Sequence, residues 1–162
     1  MPSPTSYTAV ITSEAIQKLK LLCHQELPRE ACGLIACRID DSERVASAIL
    51  PMNNTHPEPE HHFKFDPAEW VRTLFHLSQS RYSLTGFYHS HPSGPPFPSN
   101  EDLTHPLWSS SVSVKEPFSG AEGLQMLQMW IVSLADPATT EISVFTSSSN
   151  GMRRLVLTEI SV

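Results

Sequence analysis

Apolar side chains recur at helical spacing near the start of this 162-residue chain. They stand at Ile16, Leu19, Cys23 and Leu27. Side chains three or four positions apart share one face of an α-helix, so the pattern predicts an amphipathic helix from Ser13 to Leu27. Glu14 suits the positive N-terminal end of that helix, and Pro28 ends it.

The run Asp66-Pro67-Ala68-Glu69 predicts the start of a second helix. Asp is a favoured helix cap, Pro is favoured at the first helical position, and Glu three positions after the cap suits a capping box. Three apolar residues then continue along one face of the helix: Trp70, Leu74 and Leu77.

Short apolar runs between polar turns predict β-strands. We expect strands at 31–38, 45–50, 83–91 and 127–134, and a hairpin of 141–145 with 153–160 that turns at Asn150-Gly151. Strands interleaved with helices are typical of an α/β layered fold. The Ser-rich stretch from Ser109 to Gly123 shows no clear period, which predicts a loop. No repeat or boundary is visible, so we expect a single domain over residues 1–162.

Composition and charge disfavour two classes of partner. The formal net charge is -6, the pI is near 5.7, and no cluster of Lys and Arg is visible. Binding to nucleic acid phosphates needs such a cluster. No run approaches the roughly 20 apolar residues of a membrane span. We therefore expect neither nucleic acid nor a membrane as the main partner.

The cysteines and the N-terminus indicate the compartment. Cys23, Cys32 and Cys37 are odd in number and do not form the two close pairs of a structural metal site. Residues 1–10 lack the charged and apolar segments of a signal peptide. We expect a cytoplasmic protein with reduced, mostly buried thiols.

The run from His89 to Asp102 carries the candidate chemistry. Residues i and i+2 of a strand point to the same face, so His89 and His91 can present their imidazoles to one metal ion. Asp102 can supply a third ligand from the start of a following helix. Three protein ligands with one open position are typical of a catalytic zinc site, which lowers the pKa of its water to about 7.

Such a site needs a general base that is not itself a ligand. Glu30 is the candidate, because it lies where the first helix gives way to a buried strand, a point that could adjoin the end of the histidine-bearing strand. The alternative is a solvated residue at a helix–strand boundary.

Ser99 has two interpretations. Ser-x-x-Asp over 99–102 is typical of a helix capping box. The hydroxyl could also stabilise the oxyanion that forms when a carbonyl becomes tetrahedral. The two roles are compatible, since a helix N-terminus at the metal also favours negative charge. Pro106 should end or bend this helix early.

The remaining candidates are weaker. Three histidines lie in a polar loop, where we expect solvated side chains: His56, His61 and His62. Three others have no ligand-like spacing: His24, His76 and His105. Cys32 lies two residues past Glu30 and could approach the metal, but we expect it to act as a small buried hydrophobic residue.

These residues together resemble the JAMM (MPN+) metalloprotease family, in particular its compact prokaryotic members. The matching pieces are Glu30-Ala31-Cys32-Gly33-Leu34, Tyr88-His89-Ser90-His91-Pro92, and Ser99 with Asp102. The resemblance extends over most of the chain and includes Phe63-Lys64-Phe65-Asp66-Pro67.

The resemblance implies a cytidine-deaminase-like α/β fold, with a mixed β-sheet flanked by helices, and a zinc-dependent peptidase or isopeptidase. It implies one zinc ion per chain on His89, His91 and Asp102, with Glu30 as the base and Ser99 supporting the transition state. Many members cleave after the C-terminal Gly-Gly of ubiquitin-like proteins. Compact prokaryotic relatives act on ubiquitin-like sulfur carriers, so such a protein is the implied substrate.

Three other functions match part of the sequence. A non-catalytic binding module would keep the fold, but the complete ligand set with Glu30 favours an enzyme. A DNA-repair-associated relative shares a similar His-Pro-Ser-Gly segment, which the acidic charge disfavours. A zinc nucleoside deaminase would use His-x-Glu with Pro-Cys-x-x-Cys, and only His56-Pro57-Glu58 matches this pattern.

The stretch from Ser109 to Gly123 is long for the compact relatives and could shape a substrate groove.

Overall fold

A computed structural model describes residues 8–105, 127–148 and 151–162. The predictions for Pro106, for the stretch from Ser109 to Gly123 and for Asn150 lie outside these described residues. None of the helices in the described ranges is long and apolar enough to cross a bilayer.

Seven strands and three helices form the described part of the chain. In chain order they are β1 (Thr8–Thr12), α1 (Ser13–Gln25), β2 (Cys32–Arg38), β3 (Ala48–Met52), α2 (Pro67–Gln79), β4 (Tyr82–His91), α3 (Asn100–Leu103), β5 (Gln128–Asp136), β6 (Thr139–Ser148) and β7 (Gly151–Ile160).

All seven strands lie in one mixed sheet, in the order β1-β7-β6-β5-β4-β2-β3. The pairs β1–β7 and β4–β5 are parallel, and the other four pairs are antiparallel. The carboxyl ends of β4 and β5 therefore meet at one edge of the sheet, which is where ligands commonly bind in open α/β sheets. This edge carries the two histidines of the predicted metal site.

The sheet separates two hydrophobic cores. Successive side chains of a strand point to opposite faces. In β4 and β5, Tyr88 and Trp130 accordingly join the core beneath α1, whereas Phe87 and Ile131 join the core beneath α2. Because β4 is covered on both faces, its side chains from the second to the ninth residue are all buried. His89 shares the α2 face with Phe87.

The structure confirms the α/β fold with a mixed sheet flanked by helices, and most of the predicted elements. Helix α1 ends at Gln25, two residues before the predicted end. Helix α2 begins as predicted, since the Asp66 side chain accepts a hydrogen bond from the Ala68 N–H and Pro67 occupies the first turn. The predicted hairpin forms from β6 and β7, and both strands are longer than expected.

Two predictions about strands were wrong. No strand was assigned to residues 8–12, where β1 pairs in parallel with β7 from the far end of the chain. The strand predicted at 45–50 lies instead at Ala48–Met52. The reason is that Ala46 exchanges backbone hydrogen bonds with Val10 and Thr12 of β1, which keeps it outside the β2–β3 ladder.

Strand β3 forms one edge of the sheet and contains Pro51, which pairs with Gly33 of β2. Proline has no N–H to donate and is confined in sheets to edge strands, strand starts and bulges. Its presence in β3 therefore agrees with the edge position of this strand.

Gly33 permits a close approach between β2, β3 and β4. A Cβ atom at this position would lie 2.3 Å from the carbonyl oxygen of Leu50 and 2.6 Å from a ring carbon of Tyr88. The Tyr88 ring is completely buried. Any side chain at position 33 must therefore displace backbone or a packed ring.

We expect Gly33→Ala to lower the free energy of unfolding by about 1–3 kcal/mol, because it overpacks this contact. Urea unfolding followed by circular dichroism measures the change. Gly94→Ala is the matched control, since its Cβ would meet its nearest atom at 3.7 Å. The control should stay within about 0.5 kcal/mol of wild type. Equal losses in the two variants would contradict the steric account.

Candidate metal centre

The register between β2 and β4 brings Glu30 to the histidines. Cys32 lies opposite His89 in this antiparallel pair. Continuing the register by two residues places Glu30 alongside His91, and the Ser90 N–H donates to the Ala31 carbonyl between them. Glu30, His89 and His91 each offer a ligand atom, and these atoms lie within 4.8 Å of one another.

Three donor atoms converge at the end of β4. The Nε2 atoms of His89 and His91 are 3.1 Å apart. The Oδ2 atom of Asp102 lies 3.0 Å from the first of these nitrogens and 3.2 Å from the second. The three atoms thus form a nearly equilateral triangle.

This triangle fits a zinc ion. Tetrahedral zinc with ligand bonds of 2.0–2.1 Å separates its ligand atoms by about 3.3 Å, close to the observed edges. The donor set of two imidazoles and one carboxylate also suits zinc. A tetrahedron built on these three atoms has one remaining corner, as in catalytic zinc sites.

The imidazole of His91 is oriented by a second hydrogen bond. Its Nδ1 lies 2.7 Å from the carbonyl oxygen of Pro95, so the ring proton belongs on Nδ1 and Nε2 is left with a lone pair for a metal. The Ser133 hydroxyl donates to the neighbouring Gly94 carbonyl at 2.6 Å. Together these bonds fix the loop between β4 and α3.

The His89 ring is held by stacking instead. Its Nδ1 is buried and has no hydrogen-bond partner among the described residues. The Phe63 ring stacks on it with a centroid distance of 4.6 Å, and the His105 ring also stacks on Phe63, at 4.6 Å. Burial lowers the pKa of His89, which favours the neutral form that a metal ligand needs.

Asp102 is aimed by a capping box at the start of α3. Its Oδ2 accepts from the Ser99 N–H at 2.9 Å, and the Ser99 hydroxyl oxygen accepts from the Asp102 N–H at 3.1 Å. Burial opposes ionisation of Asp102, but the contacts of its carboxylate with His89, His91 and the Ser99 N–H outweigh burial and hold the pKa of this carboxyl well below its usual range. Asp102 therefore stays ionised and available as a ligand.

Glu30 has a different environment. Its side chain is buried, at 4% exposure, and Oε1 has no hydrogen-bond partner among the described residues. Burial raises the pKa of Glu30 to about 8, and the negative charge of Asp102 contributes to the rise. A carboxyl with such a pKa can both accept and release a proton near neutral pH.

The structure thus brings together all five residues singled out in the sequence: Glu30, His89, His91, Ser99 and Asp102. Cys32 is buried as expected, and its thiol contacts the Met52 carbonyl oxygen rather than the three donor atoms.

The expectation that His56 and His62 are solvated was wrong. Their side chains are 19% and 30% exposed, and both contact the carboxylate of Glu101 beside Asp102. Two contacts were not predicted from the sequence: the stacking of Phe63 on His89 and the hydrogen bond from the Asn54 side chain to the Glu30 carbonyl, because each joins segments that are distant in sequence. The sequence pointed to contacts in this region only through the number of polar residues at 54–62.

Residues 12–141 match the family described as prokaryotic homologs of the JAB domain. This match spans more than half of the chain. The chain belongs to the prokaryotic JAB family.

Two curated proteins resemble this JAB-family chain. One, from Thermus thermophilus, is named "Probable TtuB-protein conjugate cleaving protease" and is 36% identical over 84 residues. The other, "Desampylase" from Haloferax volcanii, is 35% identical over 85 residues. Each match covers 52% of this chain, and the two matches cover 53% and 60% of the respective relatives. The chain thus matches less than two thirds of either relative.

A solved structure resembles nearly the whole chain. The solution structure of a protein from Desulfitobacterium hafniense superimposes with a TM-score of 0.74 and 26% sequence identity. The match covers 95% of this chain and 94% of that protein. The overall fold described above therefore recurs in an experimental structure.

Two carboxylates adjoin the histidines, and substitution separates their roles. We expect Asp102→Asn to lower zinc affinity by more than about 100-fold. Mutation of a residue that only hydrogen-bonds to a metal ligand already lowers metal affinity by about 10–100-fold, and Asp102 is itself a proposed ligand. Glu30→Gln should keep one zinc per chain. Chelator competition with elemental analysis measures both variants. Loss of zinc in Glu30→Gln with retention in Asp102→Asn would instead make Glu30 the ligand.

Proposed function

We propose that this JAB-family chain is a zinc-dependent peptidase or isopeptidase that cleaves after the C-terminal Gly-Gly of a ubiquitin-like or sulfur-carrier protein. The observation that carries the proposal is the triangle of two imidazole nitrogens and one carboxylate oxygen, with edges of 3.0–3.2 Å, beside the buried carboxyl of Glu30. This arrangement combines a metal site with a separate proton acceptor.

The relatives support a protein conjugate as the substrate. One is named as a protease that cleaves TtuB–protein conjugates, and the other is named a desampylase. The depth of the site supports a slender substrate segment, because Glu30 and His89 are 4% and 0% exposed. A Gly-Gly tail has no side chains to obstruct its approach to such buried groups.

His89, His91 and Asp102 would hold the zinc ion. When bound, zinc supplies Lewis acidity that makes a water molecule acidic enough to act as a nucleophile near neutral pH. Glu30, when ionised, accepts the proton of the attacking water. The protonated Glu30 then donates this proton to the leaving amine, which becomes a good leaving group only when protonated.

Ser99 supports the transition state in this proposal. Its hydroxyl oxygen accepts the Asp102 N–H at 3.1 Å, so its own hydrogen remains available to donate. A donor beside the three ligand atoms can stabilise the oxyanion that develops on the scissile carbonyl. Capping of α3 and oxyanion stabilisation are therefore compatible in one side chain.

We expect Glu30→Gln to lower kcat by about 10²–10⁴-fold while the protein keeps its zinc, because the amide cannot accept the proton. The assay uses ubiquitin-like sulfur carriers with C-terminal extensions, and mass spectrometry detects the released segment. In wild type, a chelator should abolish cleavage and added zinc should restore it.

Three results would contradict this function. Cleavage by Glu30→Gln at the wild-type rate would show that Glu30 is not the base. Cleavage that persists with all zinc removed would show that the reaction does not need the metal. A zinc-loaded wild type that binds such carriers without cleaving any would favour a binding module.

We expect Ser99→Ala to lower kcat by about 10²–10³-fold, as for loss of an oxyanion donor. It should also lower the free energy of unfolding by about 1 kcal/mol, because α3 loses its cap. Ser99→Thr keeps a hydroxyl and should retain most of both properties. If Ser99→Ala lost stability but kept wild-type kcat at saturating substrate, Ser99 would be only a helix cap.

A further inference from the structure

The carboxylate of Glu101 is held by two imidazoles. Oε2 of Glu101 lies 2.5 Å from Nδ1 of His62, and Oε1 lies 3.3 Å from Nε2 of His56. Glu101 directly precedes Asp102 in α3, whereas both histidines belong to the loop over 54–62. The contact therefore joins two segments that are distant in sequence.

Both imidazoles lie within ion-pair distance of this carboxylate. Nδ1 of His56 accepts the Glu58 N–H at 2.9 Å, so the proton of a neutral His56 ring must be on Nε2, which faces Glu101. Nδ1 of His62 contacts the other carboxylate oxygen, which can only accept. Each oxygen of Glu101 thus faces the nitrogen of a different imidazole.

The same loop holds the main chain of Glu30. The Glu30 N–H donates to the Pro59 carbonyl at 2.7 Å. The buried Asn54 side chain donates to the Glu30 carbonyl at 3.1 Å and to the His62 carbonyl at 2.8 Å. The loop over 54–62 therefore contacts the Glu30 main chain through the Pro59 carbonyl and the Asn54 side chain, and it contacts α3 through its imidazoles.

We propose that His56, His62 and Glu101 form a clamp of positioning residues that sets the placement of Asp102 relative to Glu30. Helix α3 has only four residues, and one helical turn is too short to be stable by itself. Its position therefore depends on contacts with other segments. The clamp supplies such a contact one residue from the proposed ligand.

The clamp should affect the metal site more than stability. Glu101 has a half-exposed side chain, and exposed ion pairs contribute little to the stability of the fold. A displacement of α3 would move the Asp102 oxygen away from the two imidazoles. Zinc affinity is therefore the main readout, and it can be measured without any substrate. The effect on catalysis rests on the proposed function.

The test compares two substitutions with matched controls. Glu101→Ala should weaken zinc binding by about tenfold in chelator competition, the lower end for residues that orient metal ligands. Glu60→Ala removes the same charge from an exposed position of the same loop and should bind zinc like wild type. His62→Leu should weaken zinc binding as Glu101→Ala does. His62→Asn should restore most of it, because its amide nitrogen occupies the place of Nδ1.

Wild-type zinc affinity in Glu101→Ala would overturn the proposal. The proposal would also fail if Glu60→Ala lost as much zinc affinity as Glu101→Ala, or if His62→Asn lost as much as His62→Leu. With a cleavable sulfur-carrier fusion, Glu101→Ala should lower kcat about tenfold and leave KM unchanged. If wild type cleaves no fusion, the proposed function fails, while zinc affinity still decides the clamp.

Discussion

The antiparallel register between β2 and β4 is the constraint on which the candidate site depends. It places Cys32 opposite His89, and thereby Glu30 beside His91. A slip of one residue would turn the side chains of one strand to the opposite face. Such a slip is opposed by the cores on both faces of the sheet, since each alternate side chain of these strands already packs in one of them. Hydrophobic packing thus determines the position of candidate site residues that are themselves polar.

Two carboxyl groups close to the same imidazoles have opposite protonation tendencies. Asp102 contacts both imidazoles and accepts a hydrogen bond from the Ser99 N–H, and these contacts stabilise its charge. Glu30 is buried without a partner for Oε1 among the described residues, so its neutral form is favoured. Environments that move two pKa values apart are how enzymes assign a fixed charge to one group and proton transfer to another.

Much of the site could be predicted because its parts are local in sequence. The two histidines follow from the alternation of a strand, and the Ser99–Asp102 pair follows from the capping rule. Glu30 was harder to place, because its partner strand lies about 60 positions away, and its local sequence equally suited a solvated residue at a helix–strand boundary. His56 and His62 were misjudged for the same reason, since the Glu101 carboxylate that they contact belongs to another segment.

The fold shows the same division between local and long-range information. Helices α1 and α2 were predicted almost to their ends, because caps and apolar spacing are local signals. Strand β1 was missed because its partner β7 lies at the opposite end of the chain. The start of β3 was misplaced because Ala46, which lies in an apolar run typical of a strand, makes its backbone hydrogen bonds with β1 instead of with β2.

Pro51 has a consequence for the behaviour of the protein in solution. Strand β3 ends the sheet, and an open sheet edge can recruit the backbone of another molecule into a growing stack. A residue without an amide hydrogen interrupts the row of donors that an incoming strand would need. The chain therefore carries its own protection against intermolecular strand addition at this edge, next to the β2 strand that pairs with the histidine-bearing β4.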